Sequence, residues 1–309
     1  MDLRAVEQIA NAVMYEGYML YPYRRSAVKN QQRFNFGVLY PREYCDLQLG
    51  AEAWEMQTEC LATGTPSSTI EVKTRFLQMS STPAGWQEGI EREVCADPHT
   101  FNSIASKQRF EFECPSGTLE GELELRASPL GGNLFKLTLN VRNLARLQGA
   151  DLENAGGADR DRMLLQSLVS VHSIFHVAGG EFISLLDPPD QFKAAVAGCR
   201  NVGTWPVLAG PVLAGEEGQR NLLLSAPIIL YDYPQIAAES AGDLFDGTEI
   251  DEILALRILT MTDDEKLEVR SGDDRARRIL ERTEMLPLEH FQKLHGALRG
   301  LAPVSKERE

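Results

Sequence analysis

The chain has 309 residues, about twice the usual single-domain size, so its length predicts two domains or one large composite core. With 31 Lys and Arg against 45 Asp and Glu its formal charge is −14, the wrong sign for holding nucleic acid or an anionic membrane through a basic field. A hydrophobic content of 43% and a charged content of 25% exclude wholesale disorder.

Asp2, Arg4, Glu7 and Glu16 break up any apolar run near the start, so no signal peptide is expected. No apolar window approaches the roughly eighteen residues of a membrane helix, so no membrane insertion is expected. Cys45, Cys60, Cys95, Cys114 and Cys199 are scattered, odd in number and without a C-x-x-C pair. Those in the β-rich half read as small buried thiols, with neither a disulfide framework nor a zinc site. The cytoplasm is the expected compartment.

Residues 3 to about 20 read as a helix, because Val6, Ile9, Ala10, Val13 and Met14 follow the spacing of one apolar face. Pro22 blocks its continuation. From about 54 to 143 the period changes to two. Leu119, Gly121, Leu123 and Leu125 alternate with Glu120, Glu122, Glu124 and Arg126; Phe135, Leu137, Leu139 and Val141 alternate with Lys136, Thr138, Asn140 and Arg142. Residues 128–133, with Pro129 and the Gly131-Gly132 pair, supply the turn between these strands. Runs at 70–77 and 110–114 point the same way. The expectation is an antiparallel sandwich or barrel-like sheet of about five to seven strands.

A polar, Gly-containing connector at 148–157 is the best boundary in the chain. Asp159 and Asp161 are read as opening an apolar helix through about Val177, ended by Gly179-Gly180, with strands at 181–186, 222–224 and 228–231 beyond it. Thr248 with Asp251, and Thr262 with Glu265, match capping boxes. They open helices to about Leu259 and Arg270. A further helix runs from Asp273 or Asp274 to about Met285, and a last one spans Pro287 to Gly300. The fold class expected is therefore α+β. An antiparallel β-sandwich or barrel-like domain with an N-terminal helix occupies 1–147, and a mixed α/β part ending in several short helices occupies 148–309.

His172 and His176 stand four apart on the expected helix, with Glu181 and Asp187 following, so a metal- or small-molecule-dependent enzyme using them is the alternative to a binding role. No Glu stands between them as in H-E-x-x-H, and edge histidines of a packed helix explain them as well. Asp243, Asp246, Glu249, Asp251 and Glu252 lack the order of a calcium loop. No nucleophile elbow, phosphate loop or dinucleotide fingerprint is found, so no catalytic residue, metal or cofactor is assigned.

One segment opposes the global charge. Arg24, Arg25, Lys29, Arg33 and Arg42 fall between residues 15 and 44, with no acid between Glu16 and Glu43, and Tyr15, Tyr18, Tyr21, Tyr23, Tyr40 and Tyr44 share the stretch. Arg forks grip carboxylates and phosphates, and tyrosine rings add rigid contact area. Tyr21, Tyr23, Arg24, Arg25, Lys29, Asn30 and Arg33 are the expected partner-binding residues; pairing with the protein's own acids is the competing explanation.

Tyr21-Pro22-Tyr23-Arg24, continuing through Ala27-Val28-Lys29-Asn30 and Arg33-Phe34-Asn35-Phe36-Gly37, resembles the N-terminal signature of a bacterial family encoded near NiFe-hydrogenase genes, particularly of the actinobacterial type. The stretches 180–189, 203–207, 226–234 and 242–254 are similar to it as well, so the likeness spans nearly the whole chain. The resemblance implies an accessory or assembly protein whose partner is a hydrogenase subunit or maturation factor. It transfers no catalytic residue. Homo-oligomerisation stays open.

Overall fold

The structure, a computed structural model, describes residues 3–15, 35–81, 87–103, 105–114, 117–147, 160–212, 218–235, 258–270 and 274–285. They fall into two compact units, the first holding the described residues up to 235 and the second those from 258 onward.

The first unit opens with α1 (Arg4–Tyr15) and the single-turn α2 (Arg42–Leu47). Strands follow as β1 (Glu55–Ser81), β2 (Gln87–Cys95), β3 (His99–Thr100), β4 (Ser106–Cys114), β5 (Gly117–Gly131) and β6 (Leu134–Asn143). Then come α3 (Arg160–Leu164), β7 (Leu168–Ile183), a 3-10 turn at Asp190–Phe192, α4 (Lys193–Ala197), β8 (Trp205–Leu208) and β9 (Leu222–Ala226). Nine antiparallel strands share one sheet in the order β4-β5-β6-β1-β7-β9-β8, with β2 and β3 also paired to β1.

β1 is the spine. Its first third pairs β6 along the edge that β3 and β2 occupy further on, while β7 runs along the other edge. Its register breaks between Gly64 and Thr69 and again between Arg75 and Leu77, and such bulges bend a strand. At the first break Gly180 lies so close that a β-carbon would meet the Thr63 carbonyl oxygen at 2.3 Å. Only glycine fits there.

The sheet curls, bringing Phe110 and Phe112 of β4 to 5.6 and 5.9 Å from Phe76 of β1. Arg92 and Gln78 then bond to carbonyls of β4, at Glu113 (2.9 Å) and Phe112 (3.1 Å). Side chains make this junction where a barrel would have a ladder. The α+β class and the antiparallel pairing agree with the sequence, but the sheet is open, which corrects the barrel-like expectation. Phe76, Phe101, Phe135, Phe175, Leu119 and Leu137 are buried in the core that the curl encloses, each burial stabilising by about 1.5–3 kcal/mol.

The alternating runs at 118–126 and 135–142 are β5 and β6, and every second residue of β6 from Phe135 is buried. The helix expected through Val177 is corrected. Only Arg160–Leu164 is helical, and Leu168–Ile183 is β7. Its residues from Leu168 to Phe175 are all buried, because Val171, Ser173 and Phe175 face the core while His172 and Ile174 occupy the opposite face. Both faces being covered, neither period shows, and the β-branched content decides. β1 and β7, neighbours in the sheet, stand on either side of the 148–157 connector.

Residues 228–231 form no strand, another correction; Ile229 and Tyr231 are exposed, and Asp232 and Tyr233 instead bond to Leu208 of β8. α1 buries Val6, Ile9, Ala10, Val13 and Met14, the face read from the sequence. Of the cysteines in the β-rich half, Cys45 and Cys60 are buried and free whereas Cys95 is exposed, so the buried-thiol reading holds only in part; Cys199, outside that half, is half-buried.

The second unit contains α5 (Asp263–Arg270) and α6 (Asp274–Glu284). The Thr262 capping box forms as its sequence predicts: Thr262 Oγ1 accepts from the Glu265 amide at 3.3 Å, and Glu265 Oε2 accepts from the Thr262 amide at 2.9 Å. Glu284 clamps the two helices through Lys266 (3.0 Å) and Arg270 (2.7 Å). The capping box at Thr248 and the helix expected from Pro287 lie outside the described residues.

Candidate functional site

The histidine alternative fails on geometry. On a strand, positions four apart share a face but stand about 13 Å apart, so His172 and His176 do not converge. His172 is fully buried; its Nδ1 lies 2.8 Å from the Ser170 carbonyl and its Nε2 has no hydrogen-bond partner among the described residues. Burial pulls its pKa down to about 4, against the Ser170 bond, so it is a neutral ring with the proton on Nδ1. His176 faces Glu71 at 3.5 Å. Among the described residues no three His, Cys, Asp or Glu side chains gather where they could hold a metal ion.

Tyr21, Tyr23, Arg24, Arg25, Lys29, Asn30 and Arg33 lie outside the described residues, as does the acidic stretch from Asp243 to Glu252. The described end of the basic-aromatic segment is structural in its tyrosines. Tyr40 and Tyr44 are buried with ring centroids 5.1 Å apart. The Tyr40 hydroxyl accepts from Arg160 Nε at 2.9 Å, and burial pushes its pKa up to about 12 even beside that guanidinium.

The arginine of that segment is different. Arg42, at the start of α2, lines a cleft of about 270 Å³ with Trp54, Arg109 of β4, Glu120 of β5 and Arg146. Asn143, the last residue of β6, builds its floor. Its Nδ2 donates to the carbonyls of Leu39 and Gln166, both at 2.8 Å, and its Oδ1 accepts from the Ala145 amide at 2.8 Å. Backbone bonds from Asn143 to Trp54 (3.0 Å) and from Leu144 to Glu120 (3.0 Å) fix the walls. The rim is rigid because every polar group of Asn143's side chain is engaged.

Three arginines and two glutamates, Glu43 and Glu120, line this cleft in a chain of net −14. Arg42 sits 4.9 Å over the Trp54 ring, and among the described residues its one ion pair is a long one of 3.9 Å to exposed Asp46. Arg109 is 80% exposed and 3.8 Å from Glu122. Arg146 is exposed and has no ion pair among the described residues. Such pairs are worth little, so these forks are available to an external carboxylate or phosphate.

No protein-family model matches the chain, and no curated protein matches it significantly. The site therefore rests on its geometry.

Sequence reasoning placed Arg42 in an interesting segment but missed Trp54, Arg109 and Arg146. They come from three separate stretches joined only by the β4-β5-β6-β1 register, and no spacing motif connects them. The available signal was Arg109 among the exposed alternate positions of β4.

Proposed function

We propose that this chain is a non-catalytic accessory protein that holds an acidic surface segment of a partner protein in the cleft of Arg42, Arg109 and Arg146. The observation that supports this most is one cleft lined by three arginines whose ion pairs are long or absent among the described residues, with Arg42 stacked on the Trp54 ring. Arginine and tryptophan on a rigid wall are the residues that dominate protein–protein binding energy. The partner is a subunit or maturation factor of a NiFe hydrogenase, acting in the cytoplasm. That part rests on the resemblance of the strings at 21–37, 180–189 and 226–254, an associational warrant. Tyr21, Tyr23, Arg24, Arg25, Lys29, Asn30 and Arg33 form a separate proposed contact.

The test is a pull-down from cells expressing the hydrogenase, with retained proteins identified by mass spectrometry. A hydrogenase component should be retained by the wild type and lost on reversing Arg24 and Arg33, or Arg42 and Arg146. Retention of no such component would count against the reading.

A further inference from the structure

β4 is the outermost strand at one end of the sheet order. The opposite end is closed. Pro206 of β8 has no N–H to offer, and the N–H and C=O of Leu208 are taken by Asp232 Oδ1 at 2.8 Å and the Tyr233 amide at 2.6 Å. Among the described residues, none covers β4 in this way along Lys107, Arg109 and Glu111.

Its free backbone groups are identified by register. The Leu144 amide donates to the Glu120 carbonyl at 3.0 Å, so Glu120 turns its polar groups away from β4. Glu111 is the residue opposite Glu120, and in such a non-hydrogen-bonded pair both residues point their N–H and C=O outward. By alternation Lys107, Arg109 and Glu113 do the same, and Arg92 Nη2 duly reaches the Glu113 carbonyl from outside at 2.9 Å. Among the described residues, no backbone group bonds to the outward amides and carbonyls of Lys107, Arg109 and Glu111.

The same four residues carry a charge pattern that inverts about its centre: Lys107, Arg109, then Glu111, Glu113. We propose that this edge pairs antiparallel with the same edge of a second copy of the chain, about a two-fold axis at Phe110, forming a symmetric dimer with a sheet continuous across it. In that register Arg109 stands opposite Glu111 of the second copy, and Lys107 opposite its Glu113. The two Arg109–Glu111 pairs consist of outward-facing residues on both sides, so they are hydrogen-bonded pairs supplying four N–H···O bonds. Phe110 meets its own copy in the closer, non-hydrogen-bonded pair. Its ring lies across Gly121, where a β-carbon would be 2.2 Å from it, and stays half-buried in the single chain. The second copy covers it. The Lys107–Glu113 contact is made by side chains, because Arg92 already occupies the Glu113 carbonyl.

The charges are available. Lys107 reaches Glu122 and Glu124 only at 3.9 and 3.7 Å, and Arg109 reaches Glu122 at 3.8 Å. Those two acids are already held by Arg142 at 3.0 and 2.8 Å. Glu111 and Glu113 are exposed and have no ion pair among the described residues. An edge protected against self-pairing carries one sign, usually Lys. This edge carries both, placed so that a two-fold axis brings opposites together.

Sedimentation equilibrium on the full chain tests this with an all-basic edge, E111K/E113K, and an all-acidic edge, K107E/R109E. The wild type should pass from 34.3 kDa to twice that mass as concentration rises. Each reversed edge alone should weaken dimerisation at least tenfold, and an equimolar mixture of the two should restore it, which a misfolded variant could not do. Glu111→Pro, which removes an outward amide that β5 does not use, should also give a monomer. A wild type that stays at 34.3 kDa, reversed edges that dimerise like the wild type, or a mixture that does not recover dimer would each overturn the proposal. Both edge variants leave Arg42 and Arg146, the cleft arginines reversed in the capture test, intact, and mass is read without the partner protein, so the two proposals fail separately.

Discussion

The side-chain amide of Asn143 donates to the backbone carbonyl of Leu39 at 2.8 Å, joining the end of β6 to a segment 104 residues earlier. With its bonds to Gln166 and Ala145, this one buried side chain locks three backbone segments beneath the arginine cleft. Asn143→Ala deprives the Ala145 amide of its acceptor and removes a donor from the Gln166 carbonyl and from the Leu39 carbonyl, which keeps the Leu168 amide at 3.1 Å, in a site that is 1% exposed. A destabilisation of about 2 kcal/mol is expected from these lost bonds, read as a lower urea midpoint. A loss below about 1 kcal/mol would show that water replaces the amide.

His172 makes stability pH-dependent. Its folded pKa of about 4 lies below the ordinary 6.5, because burial, with Arg75 adding to it, opposes the charged ring. Between those values the unfolded chain binds the extra proton. The stability associated with the neutral ring is therefore complete above about pH 6.5 and is lost as pH falls toward 4, by up to about 3 kcal/mol. Urea midpoints at pH 7 and pH 5 should fall further apart in the wild type than in His172→Gln. Equal slopes for the two proteins would refute the assignment.

Arg142 binds Glu55, Glu122 and Glu124 at 2.7, 3.0 and 2.8 Å on the outer face of the sheet. The hydrogen bond from Arg142 holds the Glu124 carboxyl below its usual pKa, so that contribution is present above the unfolded pKa and lost on acidification. Arg142→Ala leaves three carboxylates facing one another and should cost about 2 kcal/mol at pH 7, discounted for partial exposure. The penalty should shrink as pH falls toward 4 and the acids take up protons. A penalty constant from pH 7 to pH 4 would contradict this.

The sequence was most legible where one face of an element meets solvent. β5 and β6 alternate because their outer residues, Glu120 to Arg126 and Lys136 to Arg142, stay polar. β7 was misread because Val171 and Phe175 enter the core while His172 and Ile174 are buried on the other face, leaving no polar face to set a period. Leu164, Leu168, Val171 and Phe175 then mimic a helical stripe. That error also brought His172 and His176 together on paper and separated them in the structure. The cleft was illegible for another reason. Arg42, Trp54, Arg109 and Arg146 become neighbours only through strand register, which depends on which strands pair.

The proposed binding of an acidic partner in the cleft requires Arg42 and Arg146 and weakens with salt. Its most direct test is capture of hydrogenase components by the wild type and by R42E/R146E, compared at low and moderate salt. Both arginines are exposed and weakly paired, so the variant should unfold within about 0.5 kcal/mol of the wild type. The wild type should retain a hydrogenase subunit or maturation factor, more at low salt, and R42E/R146E should retain at least tenfold less. Equal retention by the folded variant would contradict it.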